Sequence, residues 1–246
     1  MLDYDKEAAA YDDTRGGEPR AAAAAEALLS LVPEGTRTLL DVACGTGMVT
    51  RRLAAARPGL RVAGVDAANG MARMAATRVP GAVVLADGRQ LPFLGGEFDV
   101  VTSVWLLHLV DGPEDVRAIV AECARVLGPG GVYITTVDKS AAHDVGSDID
   151  AVLAPRPRRP APDRAERVES YAAEHGLLPA GRARFRGYGQ GRSPRSTVAD
   201  LRRGWFTQLA PDDPLTEWFA TRLAALPDQE VPRPDPEFTL LAFRKP

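Results

Sequence analysis

Residues 41–50, DVACGTGMVT, set Gly45 and Gly47 around a threonine, shortly after Asp41. Glycine lets a backbone approach a ligand closely, and the free N–H groups of a following helix attract an anion. Two more acids recur downstream: Asp66 closes LRVAGVD, 19 residues after Gly47, and Asp87 closes AVVLAD. An acid about 20 residues beyond a glycine turn can accept both hydroxyls of a ribose. Asp87 suits an adenine amino group. Asp41, inside an apolar run, is expensive unless a cation or donor needs it. Together the three fit a ligand with a ribose, an adenine and a positive amino group, although each alone reads equally as a helix cap or loop residue. The glycine loop alone is a weak signal. A dinucleotide GxGxxG would put a third glycine at 50, where Thr50 stands, and a P-loop would need a Gly-Lys-Ser/Thr that is absent.

These residues need a frame to hold them. TLLDVA (38–43), LRVAGVD (60–66), AVVLAD (82–87), FDVVTSVW (98–105) and VYITTVD (132–138) are short apolar runs that predict strands. Helical patterns alternate with them: RAAAAAEALLSLV (20–32), MVTRRLAAA (48–56), NGMARMAATR (69–78) and a helix from Asp111-Gly-Pro-Glu, with Asp111 as cap, to Leu127. Such alternation predicts right-handed βαβ units in a parallel sheet, which brings Asp41, Asp66 and Asp87 to the ends of neighbouring strands. After residue 139 the pattern loosens. PRPRRPAP (155–162) is a proline-rich surface or lid loop, 163–176 a helix and 182–190 a sixth strand. Helices around 196–210 and 214–226 precede a final strand in FTLLAFRKP.

S-adenosylmethionine combines a ribose, an adenine and a positive amino group without phosphates. DVACGTG, VAGVD, LADGRQLPF, FDVVTSVWLLHLVD and LGPGGVYI resemble, in order, the motifs of class I S-adenosylmethionine-dependent methyltransferases, in the small-molecule branch related to the ubiquinone and menaquinone enzymes. The resemblance runs from Leu39 to Val137. It implies an α/β, Rossmann-like doubly wound sheet of seven strands in the order 3-2-1-4-5-7-6, the last antiparallel. An N-terminal helical lid and a loop and helix insertion after strand 5 would complete one domain over 1–246. Its parts would be a lid in 1–32, a cofactor-binding half in 38–139 and a substrate side with strands 6 and 7 in 140–246. By position it assigns the methionine moiety to Gly45 and Gly47, the ribose to Asp66, and the adenine to Asp87 with the Gly88 amide. Ser103 would lie beside the methionine part. YDKEAAAYDDTRG, framed by Tyr4 and Tyr11, resembles the lid of this branch; Tyr11 would close over the cofactor and Arg15 would pair with its carboxylate. An ordinary amphipathic helix is the plainer reading of that stretch.

Methyl transfer needs alignment and exclusion of water, and a base only where the nucleophile keeps its proton. His108, just past the fourth strand, is the candidate base; it reads also as an acceptor-positioning group or as a buried structural histidine. Tyr4, Trp105, Tyr188 and Trp205 are candidates for the acceptor pocket, with Phe206 and Trp218, or else plain core. GRARFRGYGQGRSPRSTVADLRRG (181–204) holds seven arginines against one acid. It could hold an anionic substrate group, bind RNA with Phe185 and Tyr188 stacking, or be a solvated surface.

The formal net charge of −3 offers no broad field for nucleic acid, and no apolar run reaches a membrane-spanning length of about 18 residues. The acidic start, MLDYDKEAAAYDD, does not resemble a signal peptide. Cys44 and Cys123 lack metal-ligand spacing and are expected to be buried thiols, with no metal site. The expectation is a cytoplasmic enzyme that takes S-adenosylmethionine and a small-molecule acceptor in specialised-metabolite biosynthesis; a homo-oligomer stays open. The alternatives are an RNA or protein methyltransferase, a dinucleotide oxidoreductase disfavoured by Thr50 and Asp87, or a non-methylating binder of the same cofactor.

Overall fold

The computed structural model describes residues 4–158, 160–204 and 209–246. Seven strands form one sheet: β1 (Thr38–Val42), β2 (Arg61–Asp66), β3 (Val83–Leu85), β4 (Phe98–Ser103), β5 (Leu127–Val137), β6 (Leu178–Arg186) and β7 (Glu237–Arg244). Their order is β3-β2-β1-β4-β5-β7-β6, as the family resemblance implies, with β7 antiparallel to both neighbours. Strands β1 to β5 are parallel.

The central strands are apolar on both faces because helices cover both. Successive residues point to opposite sides. Leu40, Val101 and Tyr133 pack under α5 (Pro113–Val126) and α8 (Ala165–Glu174). Leu39, Val100 and Ile134 share the other core with Ala24 and Leu28 of α2 (Gly17–Leu31) and Leu53 of α3 (Met48–Ala56). The helix α4 (Asn69–Arg78) follows β2. A third core of Ile149, Leu153, Leu201, Phe219 and Leu223 joins α7 (Asp148–Leu153), α9 (Pro194–Arg202) and α10 (Pro214–Ala224). A single turn, α6 (Lys139–Ala142), leaves β5.

Several boundaries differ from the sequence prediction. Gly112, not Asp111, is the N-cap of α5, and Pro113 in the first turn starts that helix without a side-chain cap. The run Gly128–Gly131 belongs to β5, opposite a register shift between Phe98 and Val100. A Cβ at Gly131 would stand 2.8 Å from the Gly128 carbonyl oxygen, so the strand can pass there only as glycine. β6 begins at Leu178 rather than 182, and α9 and α10 interrupt the connection between β6 and β7.

In front of the sheet lies the lid helix α1 (Tyr4–Thr14). It meets α2 at Gly16, whose φ is 84°. A Cβ there would stand 1.9 Å from the Tyr188 carbonyl oxygen, so this hinge needs glycine for both its conformation and its space.

Candidate active site

The site is built at the carboxyl ends of β1, β4 and β5, which are adjacent in the sheet. Just beyond each strand stands a non-glycine residue in the left-handed region: Ala43 (φ 59°), Trp105 (φ 58°) and Asp138 (φ 52°). Such backbone costs on the order of 1–3 kcal/mol per residue and persists only where surrounding contacts impose it. For Trp105 one such contact is its own N–H, which donates to Thr136 Oγ1 at 2.7 Å.

On the β1 side, Asp41 is buried and its carboxylate accepts from Thr50 Oγ1 at 2.6 Å and Thr102 Oγ1 at 2.8 Å. Burial pushes its pKa up to about 6, against the two hydroxyl bonds that lower it. Thr50, noticed in the sequence only as a missing glycine, therefore holds Asp41. Gly45 (φ 56°) and Gly47 (φ 81°) turn the loop into α3. They differ in purpose. A Cβ at Gly47 would strike Ala75 at 2.9–3.0 Å, whereas around Gly45 nothing lies within 4 Å. Gly47 thus seats the loop on α4, and Gly45 leaves space open above it.

Asp66, at the end of β2, accepts the Gly45 N–H at 2.8 Å through Oδ2 and the Ala68 N–H at 2.9 Å through Oδ1. Burial raises its pKa against these backbone bonds. The Ala67 N–H bears on it as well, and the carboxylate keeps acceptor capacity for a hydroxyl beyond these three donors. Asp87 stands two residues past β3, and Arg89 grips it, with Nη2 at 2.6 Å from Oδ2, and holds its pKa low. Gly88 lies against Val42, 3.1 Å from where a Cβ would stand. Ser103 does not face this crevice. Its hydroxyl is fully buried, in contact with the Tyr133 hydroxyl at 2.7 Å and donating to Thr135 Oγ1 at 2.9 Å.

The lid is latched across the crevice. Asp5 accepts the Gly70 N–H at 2.6 Å; Asp12 accepts from Thr46 Oγ1 at 2.6 Å and pairs with Arg78 at 2.7 Å. Arg78 also donates to the Thr46 carbonyl at 2.7 Å. Tyr4 and Tyr11 meet with ring centroids 6.2 Å apart, and burial drives the Tyr4 hydroxyl pKa up, with the Tyr11, Arg15, Asp66 and Arg20 charges nearby.

Sequence reasoning missed Arg20. It is buried, stacks 3.5 Å over the Trp105 ring, and donates to the Arg15 carbonyl at 2.7 Å. With the Gln190 amide oxygen turned toward it, that oxygen accepts from Nε at 3.3 Å. The signal was present: Arg20, Ala24 and Leu28 stand four apart on the buried stripe of α2. Trp105 itself sits among Phe185 and Phe238 at 5.5 and 5.8 Å. His108 has a buried Nδ1 with no hydrogen-bond partner among the described residues. Burial, with the Lys139, His143 and Arg20 charges, holds its pKa well below 6.5. Lys139 falls to about 7 through burial and the Arg192, Arg20 and Arg15 charges, opposed by Asp163. His143 falls to about 2 through burial and the Arg192, Lys139, Arg20 and Arg15 charges.

Other expected pocket residues are elsewhere. The Tyr188 side chain is 41% exposed, with Arg186 5.1 Å from its ring; only its backbone touches the lid hinge. Trp218 is on the outer side of α10 under Arg222. Trp205 and Phe206 lie outside the described residues. Both cysteines are buried and free, and among the described residues no His, Cys, Asp and Glu group could hold a metal. No helix among them is long and apolar enough to cross a membrane.

Residues 40–135 match the family described as "Methyltransferase domain". Among curated relatives, the malonyl-[acyl-carrier protein] O-methyltransferase of Hahella chejuensis is 36% identical over 131 residues, 52% of this chain and 45% of that protein. The ubiquinone/menaquinone biosynthesis C-methyltransferase UbiE of Desulfotalea psychrophila is 35% identical over 100 residues, 39% of each chain. The chain thus spans less than half the length of these relatives. In fold it is similar to the geranyl diphosphate C-methyltransferase of Streptomyces coelicolor, solved with S-adenosyl-L-homocysteine. That likeness has a TM-score of 0.55 at 18% identity, over 92% of this chain and 77% of the other.

Proposed function

We propose that residues 40–135, which match the family described as "Methyltransferase domain", form a class I S-adenosylmethionine-dependent domain, and that the protein moves a methyl group from the cofactor to O, N or C of a small-molecule acceptor. The reading extends to a cytoplasmic enzyme of specialised-metabolite biosynthesis. One observation carries it: beneath a latched lid, Gly45 leaves its crevice open while two buried carboxylates, Asp41 and Asp66, have no cationic partner among the described residues. A ligand with an amino cation and a ribose diol supplies what both lack.

When bound, S-adenosylmethionine supplies a methyl group already activated by its sulfonium. The chain's residues then bind, orient and exclude water. Asp66 would hold the ribose diol with its remaining acceptor capacity. Asp41, held by Thr50 and Thr102, presents negative charge toward the amino acid end near Gly45 and Gly47. Asp87, shared with Arg89, and the Gly88 amide border the adenine. Tyr11 and Arg15 close over the methionine part, Arg15 beside its carboxylate. The Ser103 side chain, turned into the core, plays no part.

Tyr4 and Trp105 bound the acceptor side. His108, neutral at ordinary pH because of its surroundings, takes the acceptor's proton at a ring nitrogen when the nucleophile is protonated. RNA as acceptor is less well supported. In the arginine-rich stretch Arg186 pairs with Asp235, Arg195 with Glu230 and Arg202 with Glu217, which spends those charges on the protein's own acids.

Incubation of the full chain with methyl-labelled cofactor and a panel of phenols, quinols, amines and acyl acids tests the reading. Label entering one acceptor, with equimolar S-adenosylhomocysteine, is expected. An acceptor converted without cofactor consumption would instead assign the non-methylating reading.

A further inference from the structure

We propose that Arg20 is a positioning residue that makes the acceptor side of the site depend on the lid: its guanidinium holds the Trp105 ring only while the hinge between α1 and α2 is closed. The inference rests on the methyl-transfer reading, in which α1 covers the cofactor and Trp105 bounds the acceptor.

Trp105 is placed by its backbone and not by its indole nitrogen. Its N–H donates to Thr136 Oγ1 at 2.7 Å, and its φ of 58° is a conformation that neighbours must impose. The ring meets Phe185 and Phe238 edge-on, with centroids 5.5 and 5.8 Å away. Indole Nε1 is buried with no hydrogen-bond partner among the described residues. No hydrogen bond of its own therefore fixes the ring. Over its face lies Arg20, with the guanidinium carbon 3.5 Å from the ring centroid. A desolvated cation on an indole face is the strong form of this contact.

Arg20 is only 6% exposed, and burying a guanidinium is costly unless its donors are used. An apolar residue at this place on the buried stripe of α2 would pack the ring without that cost. The arginine adds reach. It donates to the Arg15 carbonyl at 2.7 Å and, with the Gln190 amide oxygen turned toward it, to that oxygen from Nε at 3.3 Å. One side chain thus joins the lid hinge, the loop after β6 and the turn after β4.

Arg15 stands where the chain passes from α1 to α2, followed by Gly16 and Gly17 with φ of 84° and 48°. A cofactor entering beneath α1 requires that helix to lift from its contacts with Gly70, Thr46 and Arg78. Lifting turns the chain at this hinge and carries the Arg15 carbonyl away. Arg20 stays on α2, loses its shortest bond and must turn toward water to replace it. Trp105 then loses the cation over its face. Lid down with the ring held, and lid up with the ring released, are the two states through which one site biases another. The acceptor wall is complete only once the cofactor is covered.

The test uses the full chain with fluorotryptophan at its three tryptophans, read by fluorine NMR, the Trp105 signal being assigned by its loss in Trp105→Phe. Asp12→Ala removes the latch to Thr46 and Arg78 and leaves Arg20 and Trp105 intact. It should shift or broaden the Trp105 signal, and saturating S-adenosylhomocysteine should return that signal to its wild-type bound position. In the same background Arg20→Met, which keeps the length without the charge, should abolish both responses while calorimetry still shows S-adenosylhomocysteine binding. Arg20→Lys keeps a cation but lacks the planar fork that bonds and stacks at once, so it is the second variant and should show the same loss. A Trp105 signal indifferent to both latch and ligand, or equally responsive in Arg20→Met and Arg20→Lys, would overturn the inference and leave the methyl-transfer reading standing. No S-adenosylhomocysteine binding to the wild type would overturn both.

Discussion

Asp41 joins two opposed demands in one side chain. Buried and held by two hydroxyls, its pKa stands at about 6 instead of 3.8. The folded state therefore keeps a proton that the unfolded state has released between about pH 4 and 6. Stability on this account is full below the lower value and declines as pH rises through the upper one, by up to roughly 3 kcal/mol. Asp41→Asn should lack that decline and melt higher than the wild type near pH 7, while binding the cofactor more weakly. Melting curves from pH 4 to 8 check this; superimposable pH dependences would contradict it. His108 is the second case. As the base, its replacement by alanine should leave cofactor affinity and melting temperature intact and lower kcat by about 10²- to 10⁴-fold. The deficit should shrink as pH passes the acceptor's own pKa, and no inflection from His108 should appear near pH 6.5, because its pKa lies well below. A deficit constant with pH would make it a positioning group; lost stability with full activity per folded molecule would make it structural. The glycine loop and Asp66 were readable because their spacing along the chain is itself the signal. Arg20 left a trace in the buried stripe of α2, but its place over the Trp105 ring was not readable, since only folding brings residues so far apart in sequence together.

The lid shows what an element adds to its residues. In sequence α1 resembles a lid or else an ordinary amphipathic helix, and in the fold Asp12 ties it both to Thr46 of the glycine loop and to Arg78 of α4. With Asp12 largely shielded from solvent, such charge-assisted bonds are worth about 1.5–3 kcal/mol each. Asp12→Ala should accordingly speed S-adenosylhomocysteine release about tenfold or more, while the melting temperature of the sheet core moves little. Stopped-flow displacement measures it, and an unchanged off-rate would mean that the latch does not govern access. Strand and helix existence was readable from apolar periodicity. Boundaries were less so where tertiary contact overrides local pattern, as at Gly128–Gly131, which joins β5 while Gly130 N–H donates to the Lys245 carbonyl and Lys245 N–H to the Gly131 carbonyl.

At the scale of the whole molecule, the chain leaves β3 at one edge and returns to β4 beside β1, so β1 and β4 part toward opposite sides at the sheet's middle. Parallel sheets open a crevice at such a reversal, outside the strands' carboxyl ends. Asp41 and the glycine loop flank it on one side, and Trp105, His108 and Lys139 on the other. The order of strands was readable through the family resemblance; the way the crevice's acidic side is held was not, because Thr50 and Thr102 meet Asp41 only in the fold. That acidic side is the centre of the account, and calorimetry with S-adenosylhomocysteine and NAD on the wild type and Asp66→Ala tests it directly. S-adenosylhomocysteine should bind with micromolar-range affinity and NAD not detectably, and Asp66→Ala should cost about 2–3 kcal/mol of cofactor binding in a protein that melts normally. Tight NAD binding without cofactor binding, or an unchanged dissociation constant in the folded variant, would contradict it.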